Sequence, residues 1–101
     1  MRTNEPAKAL ADFDTCISIK PDYDAALNNR GTVLVNSFQK YTQALVDFNK
    51  AISINPDGNY YLNRSVCNYR LGNITGAKTD AQMAAQKGMA IPENYRKLLN
   101  L

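Results

Sequence analysis

Apolar residues return along this chain at three- and four-residue steps, and proline- or glycine-bearing turns break the pattern at intervals. Such spacing puts the apolar positions on one side of an α-helix. Asn4-Glu5-Pro6 reads as a helix start, a capping Asn followed by an acid and a Pro in the first turn. Leu10, Phe13, Cys16 and Ile17 then form an apolar side, and Lys20-Pro21-Asp22 ends the helix, because a residue before Pro is pushed out of helical geometry. A second helix is predicted over 22–37, with Ala26, Leu27, Val33 and Leu34 turned inward; its exit, 36–40, has no strong breaker. The third, 41–54, turns in Ala44, Leu45, Phe48, Ala51 and Ile52 and closes on Asn55-Pro56-Asp57-Gly58. A fourth over 59–71 carries Tyr61, Leu62, Val66, Cys67 and Tyr69 and stops at Gly72. The fifth, 74–87, is rich in Ala (77, 81, 84 and 85) and stops at Gly88. Ile91-Pro92-Glu93 opens a short sixth with Tyr95, Leu98 and Leu99 on one side. No strand pattern competes, so the fold class is all-α.

The helices repeat. Asn29-Arg30-Gly31 returns 34 residues later as Asn63-Arg64-Ser65, and the stretch from Ala9 to Pro21 returns 35 residues later from Ala44 to Pro56. In the second pair Ala, Leu, Asp, Phe, Ile, Ser, Ile and Pro fall in matching places. A period in this range marks stacked supersecondary units, which share one continuous surface and favour binding over catalysis.

The pattern resembles the tetratricopeptide repeat, a helix-turn-helix unit of about 34 residues. Gly31 and Ser65 sit where that family favours Gly; Ala9, Ala44 and Ala77 where it favours Ala. Cys16, Ala51 and Ala84 fill its second small place, Phe13 and Phe48 its aromatic, Pro21 and Pro56 its closing proline, and Tyr41 and Ile74 its early apolar place. Small residues let two helices approach to ~8–10 Å. The resemblance implies one domain over 1–101, a right-handed superhelical solenoid of about two and a half repeats. Its parts are the second helix of a truncated repeat (5–20), two full repeats (22–55 and 57–88) and a capping helix (92–101) that covers the last apolar face. This looks like the C-terminal end of a longer array, and its Asn-Arg-Gly form and Ile-Pro-Glu-Asn-Tyr ending resemble bacterial members.

Composition narrows the function classes. With 101 residues, 45% of them apolar, the chain supports one core. The absence of histidine removes His-based triads and most zinc sites. Neither catalytic residues, cofactor nor metal is expected, and the protein reads as a non-enzyme. The net charge of +3 is spread out, so nucleic acid is not an expected partner. No apolar run reaches a membrane span of ~20 residues. Cytoplasmic placement is favoured over periplasmic, which a signal peptide on a parent chain would allow. Cys16 and Cys67 read as small buried thiols in packed helices.

Asparagine is frequent, twelve in all, although it costs roughly 0.6 kcal/mol in a helix relative to Ala. By resemblance, the first helix of each unit lines a concave groove, where an amide can donate to and accept from an extended peptide. The candidate groove residues are Asn28, Asn29, Thr32, Asn36, Asn59, Leu62, Asn63, Val66, Tyr69 and Arg70. The implied function is binding a peptide or helix of a partner protein; the alternative is a structural spacer or self-association within a larger protein. Chaperone-tail binding fits poorly, because Asn59 and Asn63 stand where basic residues are needed. Arg30 and Arg64 recur in phase with Asp12, Asp47 and Asp80. That predicts structural ion pairs, Arg30 with Asp12 or Asp47 and Arg64 with Asp47 or Asp80, over an anion grip. Lastly, the first helix is expected to leave one flank open to a second copy.

Overall fold

A computed structural model of the chain describes residues 5–101. It is all-helical: α1 (Glu5–Ile19), α2 (Asp24–Phe38), α3 (Tyr41–Ile54), α4 (Gly58–Arg70), α5 (Ile74–Gln86) and α6 (Glu93–Leu98). The predicted Asn4 cap lies outside the described residues. Two starts are fixed by side chains that satisfy an orphan backbone donor. Asp57 accepts from the Asn59 amide at 2.8 Å, and Asn73 from the Gly76 amide at 3.0 Å. Gly72 leaves α4 with a left-handed φ of 84°, open to glycine at no steric cost. The α2–α3 turn, residues 39–40, makes the same exit with Gln39, at φ 51°, after α2 has run on to Phe38.

Successive helices from α1 to α5 pack on one another, and α2 also touches α4. Among the described residues no Cα of α1 comes within 8 Å of α3, nor of α3 within 8 Å of α5. The α2/α4 side is therefore the tighter side of the stack and the α1/α3/α5 side the wider one.

Small residues set the spacing within each pair. Ala44, Ala51, Ala77, Ala84 and Ser65 are fully buried, and Gly31 is buried. At Gly31 the ring of Phe48 lies so close that a Cβ there would stand 2.8 Å from Cε1. In the next pair the roles are redistributed. Ser65 replaces Gly31 and Ala81 replaces Phe48, and the space is filled from α6. Tyr95 places its hydroxyl 2.8 Å from Ser65 Oγ, which donates to the Ala77 carbonyl at 2.6 Å. Leu99 is 0% exposed against Ala77 and Ala81. The cap reaches in with side chains alone: no Cα of α6 lies within 8 Å of another helix.

Two expectations need correction. Leu98, expected on the same side as Tyr95 and Leu99, is 60% exposed: Tyr95 and Leu99, four residues apart, share the inward face, and Leu98 is turned about 100° from Leu99. Cys16 is exposed while Cys67 is buried, donating to the Tyr41 carbonyl at 3.1 Å. Cys16 copies the position of Ala51, but no described helix covers that side of α1.

Candidate functional site

The recurring charges resolve into two copies of one clamp. Arg30 grips Asp47 with two parallel bonds, Nε to Oδ2 at 2.9 Å and Nη2 to Oδ1 at 2.8 Å, and reaches Asp14 on α1 with Nη1 at 3.0 Å. Arg64 repeats the geometry on Asp80, at 2.9 and 2.8 Å, and reaches Asn49 on α3 at 3.0 Å. Each guanidinium thus ties its own helix to the next and to the previous one. Asp47 and Asp80 are the expected partners; Asp12 is not, and neither is Asp47 for Arg64. The third contact, Asp14 and its counterpart Asn49, went unpredicted, though the two occupy matching places in the 35-residue repeat. The fork-on-carboxylate geometry gives these bonds strength and direction. Each carboxylate raises the pKa of its guanidinium beyond the ordinary arginine value, Asp47 for Arg30 and Asp80 for Arg64. Arg64 also lies 5.4 Å from the centre of the Tyr61 ring.

Asparagines knit the same layer. Asn68 donates to Asp80 at 3.0 Å, and Asn63 donates to the buried Asn28 at 2.9 Å, joining α4 to α2. At the helix starts Asp24 accepts from Tyr60 at 2.8 Å and from Asn55 at 3.1 Å. These bonds hold the Asp24 carboxyl below the usual range, the Tyr60 bond most. Burial, then Asp24, pushes the Tyr60 hydroxyl up to about 12. Burial lifts the Cys67 thiol to about 11.

On the α2/α4 side Thr32, Asn36, Asn63 and Val66 come together around a cleft of about 200 Å³ with Val35 and Phe48. Of the other candidate residues, Asn28 is buried beside this cleft with its amide oxygen taken by Asn63, and Thr32 donates to the Asn28 carbonyl at 3.0 Å. Asn29 and Asn59 are exposed, and Leu62 is half-buried; none of the three lines the cleft. Tyr69 stands elsewhere, edge-on to Tyr95 with ring centres 6.0 Å apart. Arg70 is exposed, 3.4 Å from the Tyr41 hydroxyl.

Larger hollows lie on the other side, about 370 Å³ between α1 and α3 and about 320 Å³ between α3 and α5. They are one site seen twice. Leu10, Arg30, Leu34 and Val46 of the first correspond to Leu45, Arg64, Asn68 and Thr79 of the second, each over its clamp. Their ionic groups already serve one another, and among the described residues no buried side-chain polar atom lacks a partner.

The described residues hold no grouping of three or more His, Cys, Asp or Glu suited to a metal, and no helix long and apolar enough to cross a membrane. Comparison with protein-family models, curated proteins and solved structures returns no match.

Proposed function

We propose that this chain is a protein-interaction module of the tetratricopeptide-repeat kind, a right-handed stack of helix-turn-helix units that holds a peptide or helix of a partner protein between α2 and α4. The observation that carries this reading is the clamp repeated in register. Arg30–Asp47 and Arg64–Asp80 hold two helix pairs in the same relation, so their first helices lie side by side and offer one surface. A tied, prearranged surface loses little freedom on binding, which suits recognition of a segment that is itself unstructured when free.

The lining fits a peptide. Val35, Val66 and Phe48 supply an apolar floor, and Asn36, Asn63 and Thr32 supply groups that can both donate and accept. The carboxylates of the clamps, Asp47 and Asp80, are engaged by arginine, which favours reading the module as a binder.

A display selection of random peptides on the full chain tests the proposal. Enriched peptides should lose binding to a Val66→Arg variant that melts like the parent chain. Enrichment that survives Val66→Arg and Asn36→Arg together would place the binding surface elsewhere and reject the groove.

A further inference from the structure

The two hollows on the α1/α3/α5 side are built from matching positions but furnished differently. Leu10, Arg30 and Asp47 of the first return as Leu45, Arg64 and Asp80 in the second. Where the second has the polar Asn68 and Thr79, the first has Leu34 and Val46. Where the second has the neutral Asn49 and Gly76, the first has Asp14 and Gln43. The α1/α3 hollow, about 370 Å³, thus combines an apolar wall with a charged rim.

Charge separates the two further. In the second hollow Arg64 and Asp80 balance; in the first, one arginine faces two carboxylates, Asp47 and Asp14. Both oxygens of Asp47 accept from Arg30. Asp14 gives Arg30 only Oδ1, at 3.0 Å, and among the described residues no bond reaches its Oδ2. The clamp itself does not need an acid here, because Asn49 makes the same bond to Arg64 without a charge. The Gln43 amide stands exposed at the same rim and makes no bond among the described residues. Lys50, one turn beyond Val46 on α3, does not line the hollow and forms no ion pair among the described residues.

We propose that the α1/α3 hollow is a seat for one lysine side chain of a partner protein. The aliphatic stem lies over Leu10, Leu34 and Val46, and the ammonium reaches Asp14 Oδ2 at the wet rim. Lysine fits better than arginine. A guanidinium fork needs both oxygens of a carboxylate, and each acid here has already given at least one to Arg30; a single free oxygen suits a point charge. Gln43 can bond the partner's backbone beside the lysine, a contact that a free amine lacks. The hollow takes one side chain and not the length of a peptide. It shares no lining residue with the α2/α4 cleft, so either site can fail without the other.

The probe is a blocked pentapeptide, Ala-Ala-Lys-Ala-Ala, titrated into the isotope-labelled full chain and followed by amide shifts. Saturable shifts should fall on Leu10, Asp14, Gln43 and Val46 and spare Leu45, Asn49 and Thr79 of the second hollow. Norleucine in place of Lys removes the charge, and diaminopropionate removes most of the stem; each should weaken binding by at least ~3-fold, the scale of a partly exposed ion pair or a few covered methylenes. An Arg peptide should also bind more weakly. Asp14→Asn should weaken the Lys peptide alone, since an amide keeps the Arg30 contact as Asn49 keeps that of Arg64. Val46→Thr should do the same; Val46 is 64% exposed, so the fold survives, which the amide spectrum checks. Equal shifts in both hollows, binding indifferent to the charge, the stem or Asp14, Arg binding as well as Lys, or no saturable shift at millimolar peptide would each overturn the proposal. So would pentylammonium binding as tightly as the peptide, which would make a free amine the ligand. Concentration-dependent association of the chain alone that Asp14→Asn abolishes would overturn it too, because a second copy would then supply the lysine.

Discussion

Gly31 offers a direct test of the packing that holds the helix pairs together. Replacing it with Ala puts a Cβ 2.8 Å from Cε1, 2.9 Å from Cζ and 3.1 Å from Cδ1 of Phe48. Carbon atoms rest at about 3.5–4.0 Å, so the methyl intrudes by the better part of an ångström. The ring is 1% exposed and packed among Leu34, Val35, Ala44 and Cys67, so moving it disturbs these neighbours. Overpacking of this kind costs about 1–3 kcal/mol. Helix propensity works the other way, because Ala is favoured over Gly by about 0.8–1.0 kcal/mol. The net expectation for Gly31→Ala is a loss of about 0–2 kcal/mol; for Gly31→Leu, which no side-chain shift can absorb, it is more than about 3 kcal/mol. The decisive quantity is the coupling. Phe48→Leu alone should cost about 1–2 kcal/mol as a partly emptied site. In the Gly31→Ala/Phe48→Leu double variant the new methyl occupies space the ring has left, so the sum of the single losses should exceed the double by at least about 1 kcal/mol. Urea unfolding followed by helical ellipticity measures all four stabilities, provided the slope stays constant. Additivity within about 0.5 kcal/mol would mean that the two side chains do not contend for the same space, and would refute the close approach.

Other parts of the structure make independent predictions. Arg64→Met leaves Asp80 buried with Asn68 as its remaining partner and should cost about 2–4 kcal/mol, much of it recovered when Asp80→Asn is added; a loss below about 0.5 kcal/mol in the urea midpoint would show the clamp to be incidental. Stability should fall on the alkaline side. The folded chain holds the Cys67 proton to about 11 against 9.0 and the Tyr60 proton to about 12 against 10.0. Their contributions are therefore complete below pH 9 and pH 10 respectively and are lost as pH rises through the folded values. Cys67→Ala should flatten the decline between pH 9 and 11, and a variant that declines as steeply as the parent chain would contradict this. Gln39 holds a left-handed φ of 51° that glycine adopts freely, so Gln39→Gly should raise the melting midpoint by the equivalent of about 0.5–1 kcal/mol; a lower midpoint would mean that the side chain matters more than the backbone there.

Most of the helical architecture was readable because its punctuation is chemical. Pro21, Pro56, Gly72 and Gly88 end segments for reasons that hold in any fold. The Arg30–Asp47 and Arg64–Asp80 pairs were readable because opposite charges recur in phase. Asp14 escaped notice because its counterpart is Asn49, a different residue able to accept the same hydrogen bond; matching by capability rather than identity would have found it. Burial was less readable, since it depends on what stands opposite. Cys16 and Ala51 occupy the same place in their repeats, yet only Ala51 has a helix over it. Tyr69 reads as a groove residue from its place on α4. The loss of ring volume at Ala81 makes room for the cap, and Tyr69 stands against Tyr95 instead. Which amides are tied up within the fold was likewise hidden: Asn28 accepts from Asn63, and Asn68 donates to Asp80.

The proposed binding function is tested most directly by mapping amide shifts of the isotope-labelled chain on titration with a peptide enriched by selection against it. The account predicts saturable shifts centred on Thr32, Asn36, Asn63 and Val66, with the clamp residues Arg30 and Arg64 and the outer positions Val46 and Thr79 little changed. Shifts centred instead on Leu10, Val46 and Thr79 would move the binding surface to the hollows over the clamps, and would contradict recognition between α2 and α4.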